Sequence, residues 1–165
     1  IKRHELIIKA LSMLPKQINW IYLHAGRENK FCDERKLAKE LGIYHRCRFL
    51  GLISNSKEIL AISDVYIMSS VVEGLSIAAI ESIALGTPTL LTKVPGLNDI
   101  LKLVPKTIGY EPNPEALVNA ISNVYNIDIK DKITLSKVLA KSAIDLFSIS
   151  KGVADYTDFY SKIIN

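Results

Sequence analysis

Asp64-Val65-Tyr66-Ile67-Met68-Ser69 leads into Ser70-Val71-Val72-Glu73-Gly74-Leu75-Ser76, and that into Ile77-Ala78-Ala79-Ile80-Glu81-Ser82-Ile83-Ala84-Leu85-Gly86. The first run is apolar at nearly every position, as a strand is when helices cover both faces of its sheet. The middle run reads as a loop. The third is a mostly apolar helix, Ile77 to Leu85, ended by Gly86. Strand, loop and helix in this order form half of a βαβ unit, and the alternation continues in both directions. Upstream, Leu6, Ile7, Ala10, Leu11 and Leu14 repeat at helical spacing before Pro15. Ile18 to Ala25 reads as a strand closed by Gly26, and Asp33 opens a helix through Leu37, Ala38 and Leu41 to Gly42. Arg46 to Leu50 is a strand closed by Gly51, and Asn55 or Ser56 caps a helix carrying Ile59, Leu60 and Ile62.

Downstream, Thr89 to Thr92 is a strand, Gly96 to Leu101 a short helix and Thr107 to Tyr110 a last short strand. Asn113 and Pro114 open a helix to about Tyr125, and helices near Lys130–Phe147 and Lys151–Ile164 finish the chain. Strands separated by single helices imply parallel pairing with right-handed crossovers. The expected fold is α/β: a doubly wound Rossmann-like parallel sheet flanked by helices. Ligands of such sheets bind beyond the carboxyl ends of the strands, so function is sought in the loops that follow them.

Composition narrows the classes. With 165 residues, 48% of them hydrophobic and 23% charged, the chain has the bulk for one ordinary globular domain over 1–165. No apolar stretch is long enough for a membrane span, and Ile1-Lys2-Arg3-His4-Glu5 is no signal peptide. Cys32 and Cys47 are too few for a disulfide framework and suit reduced thiols in the cytoplasm. Peripheral contact with the inner face of the membrane stays open. A net charge of +4 suits anionic partners in general. Basic residues do not alternate with aromatics along one element, which argues against nucleic acid. No Walker loop, G-x-G-x-x-G fingerprint, Asp-x-Asp pair or His/Cys cluster is present, so neither a cofactor nor a metal is expected. His4, His24 and His45 are scattered, with packing or surface roles as the default.

The loop at 70–76 carries the chemistry. Free amides of Ser76, Ile77 and Ala78 at a helix N-terminus favour phosphate. Gly74 lets the backbone approach a ligand closely. Glu73 lies in the loop, whereas Glu81 interrupts the apolar run of the helix and needs a partner. Both carboxylates would flank one ligand that carries hydroxyls at two ends and negative charge between, as a sugar nucleotide does.

Glu73 to Glu81, followed by Ser-Ile-Ala-Leu-Gly-Thr-Pro, resembles the E-x7-E signature of the retaining glycosyltransferases called group 1 or family 4, which have two Rossmann-like domains. Lys2-Arg3-His4-Glu5-Leu6-Ile7, Arg48-Phe49-Leu50-Gly51, Ser63-Asp64-Val65 and Phe147-Ser148-Ile149 resemble further segments of that family in order along the chain. The resemblance implies the donor-binding half of a metal-independent enzyme that moves a sugar from a nucleoside diphosphate sugar to an acceptor hydroxyl. Under it Glu73 would contact the sugar, Glu81 the ribose, and the amides of Leu75 and Ser76 the sugar. Those of Ile77 and Ala78 would meet the diphosphate. Lys2 would neutralise the leaving phosphate, and the backbone around Arg48 would meet the base. The Ser76 hydroxyl would be free to add a contact to the sugar.

The resemblance also implies that the acceptor, a glycan or lipid-linked glycan, binds through a missing N-terminal domain. The helix near 151–164 would pack on that domain, and this chain alone would be inactive. In the usual strand order 3-2-1-4-5-6 the first strand lies mid-sheet. Here that strand, and a phosphate-binding arginine often found with it, are expected to precede Ile1. Surface-glycan synthesis in a bacterium suits the Ile, Lys and Asn richness. A non-catalytic nucleotide-responsive domain and a nucleotide-sugar epimerase are the alternatives.

Overall fold

The computed structural model describes residues 2–28, 31 and 33–164. Cys32 lies outside the described residues; Cys47 is a buried free thiol. The elements run α1 (His4–Ser12), β1 (Tyr22–Ala25), α2 (Asp33–Glu40), a 3-10 turn (Tyr44–Arg46), β2 (Cys47–Gly51), α3 (Ser56–Ala61), β3 (Tyr66–Met68) and α4 (Ile77–Ala84). They continue with β4 (Thr89–Thr92), α5 (Leu97–Leu103), β5 (Ile108–Tyr110), α6 (Pro114–Tyr125), α7 (Ile129–Phe147) and α8 (Ile149–Ile164). The α/β class and the parallel pairing expected from the alternation hold: β1 runs parallel to β2, β3 to β4, and β4 to β5.

The sheet comes in two pieces, β1-β2 and β3-β4-β5. Between them lies a cavity of about 1040 Å³ bordered by Tyr22, Leu23 and His24 on one side and Tyr66, Ile67 and Met68 on the other. This accounts for a difference from the sequence reading. The 64–69 run pairs only over Tyr66–Met68, and Tyr66 and Ile67 are half-buried despite their apolar setting. β4, with a strand on each side, is buried at all four positions. Its threonines are satisfied there: Thr89 Oγ1 donates to the Thr87 carbonyl at 2.9 Å, and Thr92 Oγ1 to the Ser70 carbonyl at 2.9 Å.

Other boundaries move for local reasons. The strand expected from Ile18 starts only at Tyr22. Pro15 turns the chain, its carbonyl accepting from the Ile18 N–H at 3.0 Å, and Ile18 is buried in the same core cluster as Leu11 and Ile121. Arg46 closes the 3-10 turn, so β2 begins at Cys47 and reaches Gly51. Gly96 precedes α5 rather than joining it.

Helices cover the sheet on both sides. Leu6, Ile7, Leu11, Leu117 and Ile121 of α1 and α6 form one core with Leu90. Ala79, Ile83, Leu97, Ile100 and Leu139 of α4, α5 and α7 form the other with Met68 and Leu91. Side-chain caps fix two of these helices: Asn113 Oδ1 accepts from the Ala116 N–H at 2.8 Å, and Asp128 Oδ1 from the Asp131 N–H at 2.9 Å. α8 has no buried residue, and Ile149, Val153, Tyr156, Tyr160 and Ile163 form an exposed apolar stripe along it. Among the described residues no helix is long and apolar enough to cross a membrane.

Candidate functional site

The N-terminus of α4 sits just beyond the carboxyl end of β3. Ser76 is its N-cap, with its Oγ accepting from the Ala79 N–H at 3.4 Å and donating to Met68 Sδ at 3.2 Å. The hydroxyl is therefore turned inward and buried, and is not free for the sugar contact expected of it. One amide of the first turn is thereby used up. The N–H groups of Ile77 and Ala78 have no intrahelical acceptor, and both residues are exposed, so they point positive partial charge out of the helix. Glu81 lies one turn further along, half-buried, and its carboxylate makes no hydrogen bond or ion pair among the described residues. Its charge reaches Tyr66, whose hydroxyl is held far above its ordinary pKa first by burial and then by Glu73 and Glu81.

Lys2 and Glu73, distant in sequence, meet directly: Lys2 Nζ donates to Glu73 Oε1 at 2.6 Å. Ser70 Oγ donates to the same oxygen at 2.5 Å. Burial pushes the Glu73 carboxyl up, but the bonds from Lys2 and Ser70 outweigh it and hold it below the ordinary value, so it is ionised at neutral pH. Ser69 explains how Lys2 is delivered. Its Oγ lies 2.7 Å from the Lys2 carbonyl and 2.8 Å from the Arg3 carbonyl, pinning the segment before α1 to the end of β3. Arg3 there adopts a left-handed backbone (φ 49°, ψ 46°), a conformation costing an L-residue about 1–2 kcal/mol. Its guanidinium reaches the Pro112 carbonyl at 3.3 Å.

A second group of side chains flanks the carboxyl end of β1. The His4 and His24 rings stand edge to face at 4.4 Å, and His24 stacks edge-on to Phe49 at 5.5 Å. Two of the three histidines are thus together, unlike the scattered arrangement expected. Burial, then the neighbouring His24 and Lys2, pushes His4 down to about 4. His24 is also lowered, first by burial, and its Nδ1 is buried without a hydrogen-bond partner among the described residues. Beyond it Arg35 holds Glu28 through two bonds, at 2.7 and 2.8 Å, and lies 4.6 Å over the Phe49 ring. That clamp keeps the Glu28 carboxyl below its ordinary range.

The structure thus brings Lys2, Glu73, Gly74, Leu75, Ser76, Ile77, Ala78 and Glu81 to one end of the sheet. Arg48 stands apart from them, on β2 opposite Leu23, with its guanidinium folded back onto the His45 and Cys47 carbonyls at 3.0 and 3.1 Å. Arg27 is exposed on the rim of the cavity. Sequence reasoning missed Ser69 and Ser70, whose only signal was a serine doublet directly after an apolar strand. It also missed the turn before α5: the Pro95 carbonyl accepts from the Glu73 N–H at 3.4 Å. Among the described residues no three His, Cys, Asp or Glu side chains are grouped to hold a metal ion. A lysine paired with a carboxylate, beside a helix N-terminus that carries a second carboxylate, can bind a polyanion through the cation and the amides while the carboxylates accept from hydroxyls.

Comparison with known proteins bears on this arrangement. The family profile described as glycosyl transferases group 1 matches residues 1–139. The chain is 29% identical over 102 residues to the N-acetyl-alpha-D-glucosaminyl L-malate synthase of Bacillus anthracis, covering 62% of this chain and 27% of that protein. It is 37% identical over 95 residues to the lipopolysaccharide core biosynthesis glycosyltransferase LpsE of Rhizobium meliloti, covering 58% of this chain and 27% of the relative. Anabaena Alr3699/HepE, crystallised with UDP, superimposes with a TM-score of 0.87 at 18% identity over 98% of this chain and 45% of that one. The chain therefore spans less than half the length of each.

Proposed function

Because the chain belongs to the group 1 glycosyltransferases, we propose that it is the donor-binding half of a retaining enzyme, one that moves a sugar from a nucleoside diphosphate sugar to an acceptor hydroxyl. The observation that carries this reading is the Lys2–Glu73 contact at 2.6 Å beside the open N-terminus of α4. A cation, a carboxylate and two amides without an intrahelical acceptor are the groups that binding a sugar phosphate calls for. The crystallisation of Anabaena Alr3699/HepE with UDP supports a nucleotide donor.

In this reading the amides of Ile77 and Ala78 hold the diphosphate, and those of Leu75 and Ser76 face the sugar, with Gly74 giving the backbone room. Glu73 accepts from sugar hydroxyls, and Glu81, without a partner of its own, from the ribose. The base lies at the β2 backbone around Arg48. As the glycosidic bond breaks, negative charge builds on the departing diphosphate. Lys2 and the helix N-terminus stabilise it without waiting for solvent to reorganise and without a divalent metal. Lys2 has three N–H donors, so it can hold Glu73 Oε1 and still donate to phosphate, while Glu73 Oε2 is left for the sugar. Glu73 is a binding and electrostatic group here, with the acceptor attacking on the face the leaving group vacates.

The acceptor, a glycan or lipid-linked glycan of a bacterial surface polymer, is bound by a second domain. The names of the lipopolysaccharide relatives support that class. One feature supports a two-domain enzyme: the apolar stripe of α8, which suits packing on such a domain. The cavity between β1 and β3 bears on this domain's own sheet. The cavity has strand edges on both sides, and Lys2 emerges at its carboxyl-side end. A parallel strand leading into Lys2 would join the two pieces into the order 3-2-1-4-5-6.

Titration calorimetry with UDP and GDP tests the donor site. Binding of one of them by this chain, lost in Glu81→Ala, is expected. No heat with either at millimolar ligand would refute the reading. In the two-domain enzyme, Glu81→Ala leaving transfer unchanged would favour a non-catalytic role for this site.

A further inference from the structure

Gly96 stands at the N-cap of α5 with φ +83°, on the turn Val94-Pro95-Gly96 that follows β4. A Cβ built there would lie 1.9 Å from the Glu73 carbonyl oxygen and 2.6 Å from the Gly74 carbonyl oxygen. The backbones of two loops are in direct contact at this point, with no room for a side chain. One residue earlier, the Pro95 carbonyl accepts from the Glu73 N–H at 3.4 Å. The same side of the loop is tied at its start by Thr92 Oγ1, which donates to the Ser70 carbonyl at 2.9 Å. The support is anchored in turn, because Val94 and Leu97 are buried on either side of Pro95-Gly96.

We propose that Gly96 is a positioning residue for Glu73: its missing side chain lets the β4–α5 turn seat the Glu73-Gly74 backbone, and so aims the Glu73 carboxylate at Lys2, Ser70 and the bound sugar. The sugar part rests on the donor-binding reading above; the aim at Lys2 and Ser70 does not. Gly42 also has a positive φ, +71°, but a Cβ there meets nothing within 4 Å. Alanine at 42 introduces only backbone strain, whereas alanine at 96 introduces that strain and pushes on Glu73.

The test uses the 165-residue chain with two readouts. The first is affinity for UDP and GDP against UDP-glucose, UDP-N-acetylglucosamine and GDP-mannose, the gain from the sugar being the measure. The second is the NMR titration of the Glu73 carboxyl. Gly96→Ala is expected to lose about tenfold in the sugar's contribution, the scale of one hydrogen bond to a charged group. Its affinity for the free nucleotide should stay near that of the unchanged chain. The Glu73 titration should move upward as the Lys2 and Ser70 bonds loosen, and Gly42→Ala should change neither readout. If no nucleotide or nucleotide sugar binds the unchanged chain, the donor reading fails, while the titration still decides the positioning of Glu73. A wild-type titration in Gly96→Ala, or an equal shift in Gly42→Ala, overturns the proposal. Should Gly96→Ala fail to fold, Pro95→Gly keeps residue 96 and only slackens the turn. Movement of the readouts in the same direction then supports the proposal, and unchanged values overturn it.

Discussion

Replacing Gly86 by alanine tests how α4, which carries the candidate anion site and Glu81, is held against α7. Gly86 follows the end of α4 with φ +76°, its N–H donating to the Ile83 carbonyl at 2.9 Å. A methyl group there would lie 2.2 Å from Ser136 Oγ and 2.8 Å from the Ser136 carbonyl oxygen on α7. The left-handed conformation costs an alanine about 1–2 kcal/mol. Forcing a packed contact apart adds about 1–3 kcal/mol, and a stiffer unfolded chain returns about 0.4–1 kcal/mol. The net expectation is a loss of roughly 2–4 kcal/mol. Gly42→Ala carries the first and last contributions alone, and should lose about 1 kcal/mol or less. Urea unfolding followed by circular dichroism, with midpoints compared at equal slope, measures both. Ser136→Ala in the Gly86→Ala background removes the nearest contact, at 2.2 Å, but should restore only part of the loss, because the Ser136 carbonyl oxygen at 2.8 Å is backbone that no side-chain change removes. Equal destabilisation by the two glycine substitutions, or complete rescue by Ser136→Ala, would refute the reasoning.

Two other perturbations read the site's electrostatics and its cap. His4 is pushed down to about 4 by burial, so the unfolded chain binds a proton more readily than the folded one. Its contribution to stability is present in full above the ordinary histidine value of 6.5 and is lost as pH falls toward 4. The urea midpoint should therefore decline through that window, and His4→Gln should remove part of the decline, His24, lowered by burial as well, contributing the rest; Glu73, also lowered, acts in the acid range below the ordinary carboxylate value. Ser76→Ala removes the N-cap of α4 and should cost about 1 kcal/mol. By differential scanning calorimetry that is a fall of roughly 2–4 °C in melting temperature.

The α/β class was legible because it rests on local signals: strands and helices alternate, and Gly, Pro and Asn mark their ends. Asn113-Pro114 opens α6 as expected, and Gly86 follows α4. The E-x7-E spacing likewise gave a candidate site within one strand–loop–helix unit. What failed at this level was local detail with a tertiary cause. Ile18 reads as strand but is drawn into a core by α1 and α6. Ser76 reads as a free hydroxyl but turns inward to Met68.

By itself, then, the sequence determined which residues are candidates for the site and which elements carry them, since period, caps and motif all act over a few residues. Only the tertiary structure decided which of them meet. Lys2 lies 71 positions from Glu73 and touches it because Ser69 ties the start of α1 to the end of β3. His4 lies against His24, and Gly96 lies under Glu73, because parallel strands bring the ends of separate crossovers to one edge of the sheet. Such contacts form through chain closure over long loops, and no spacing within a short window encodes them.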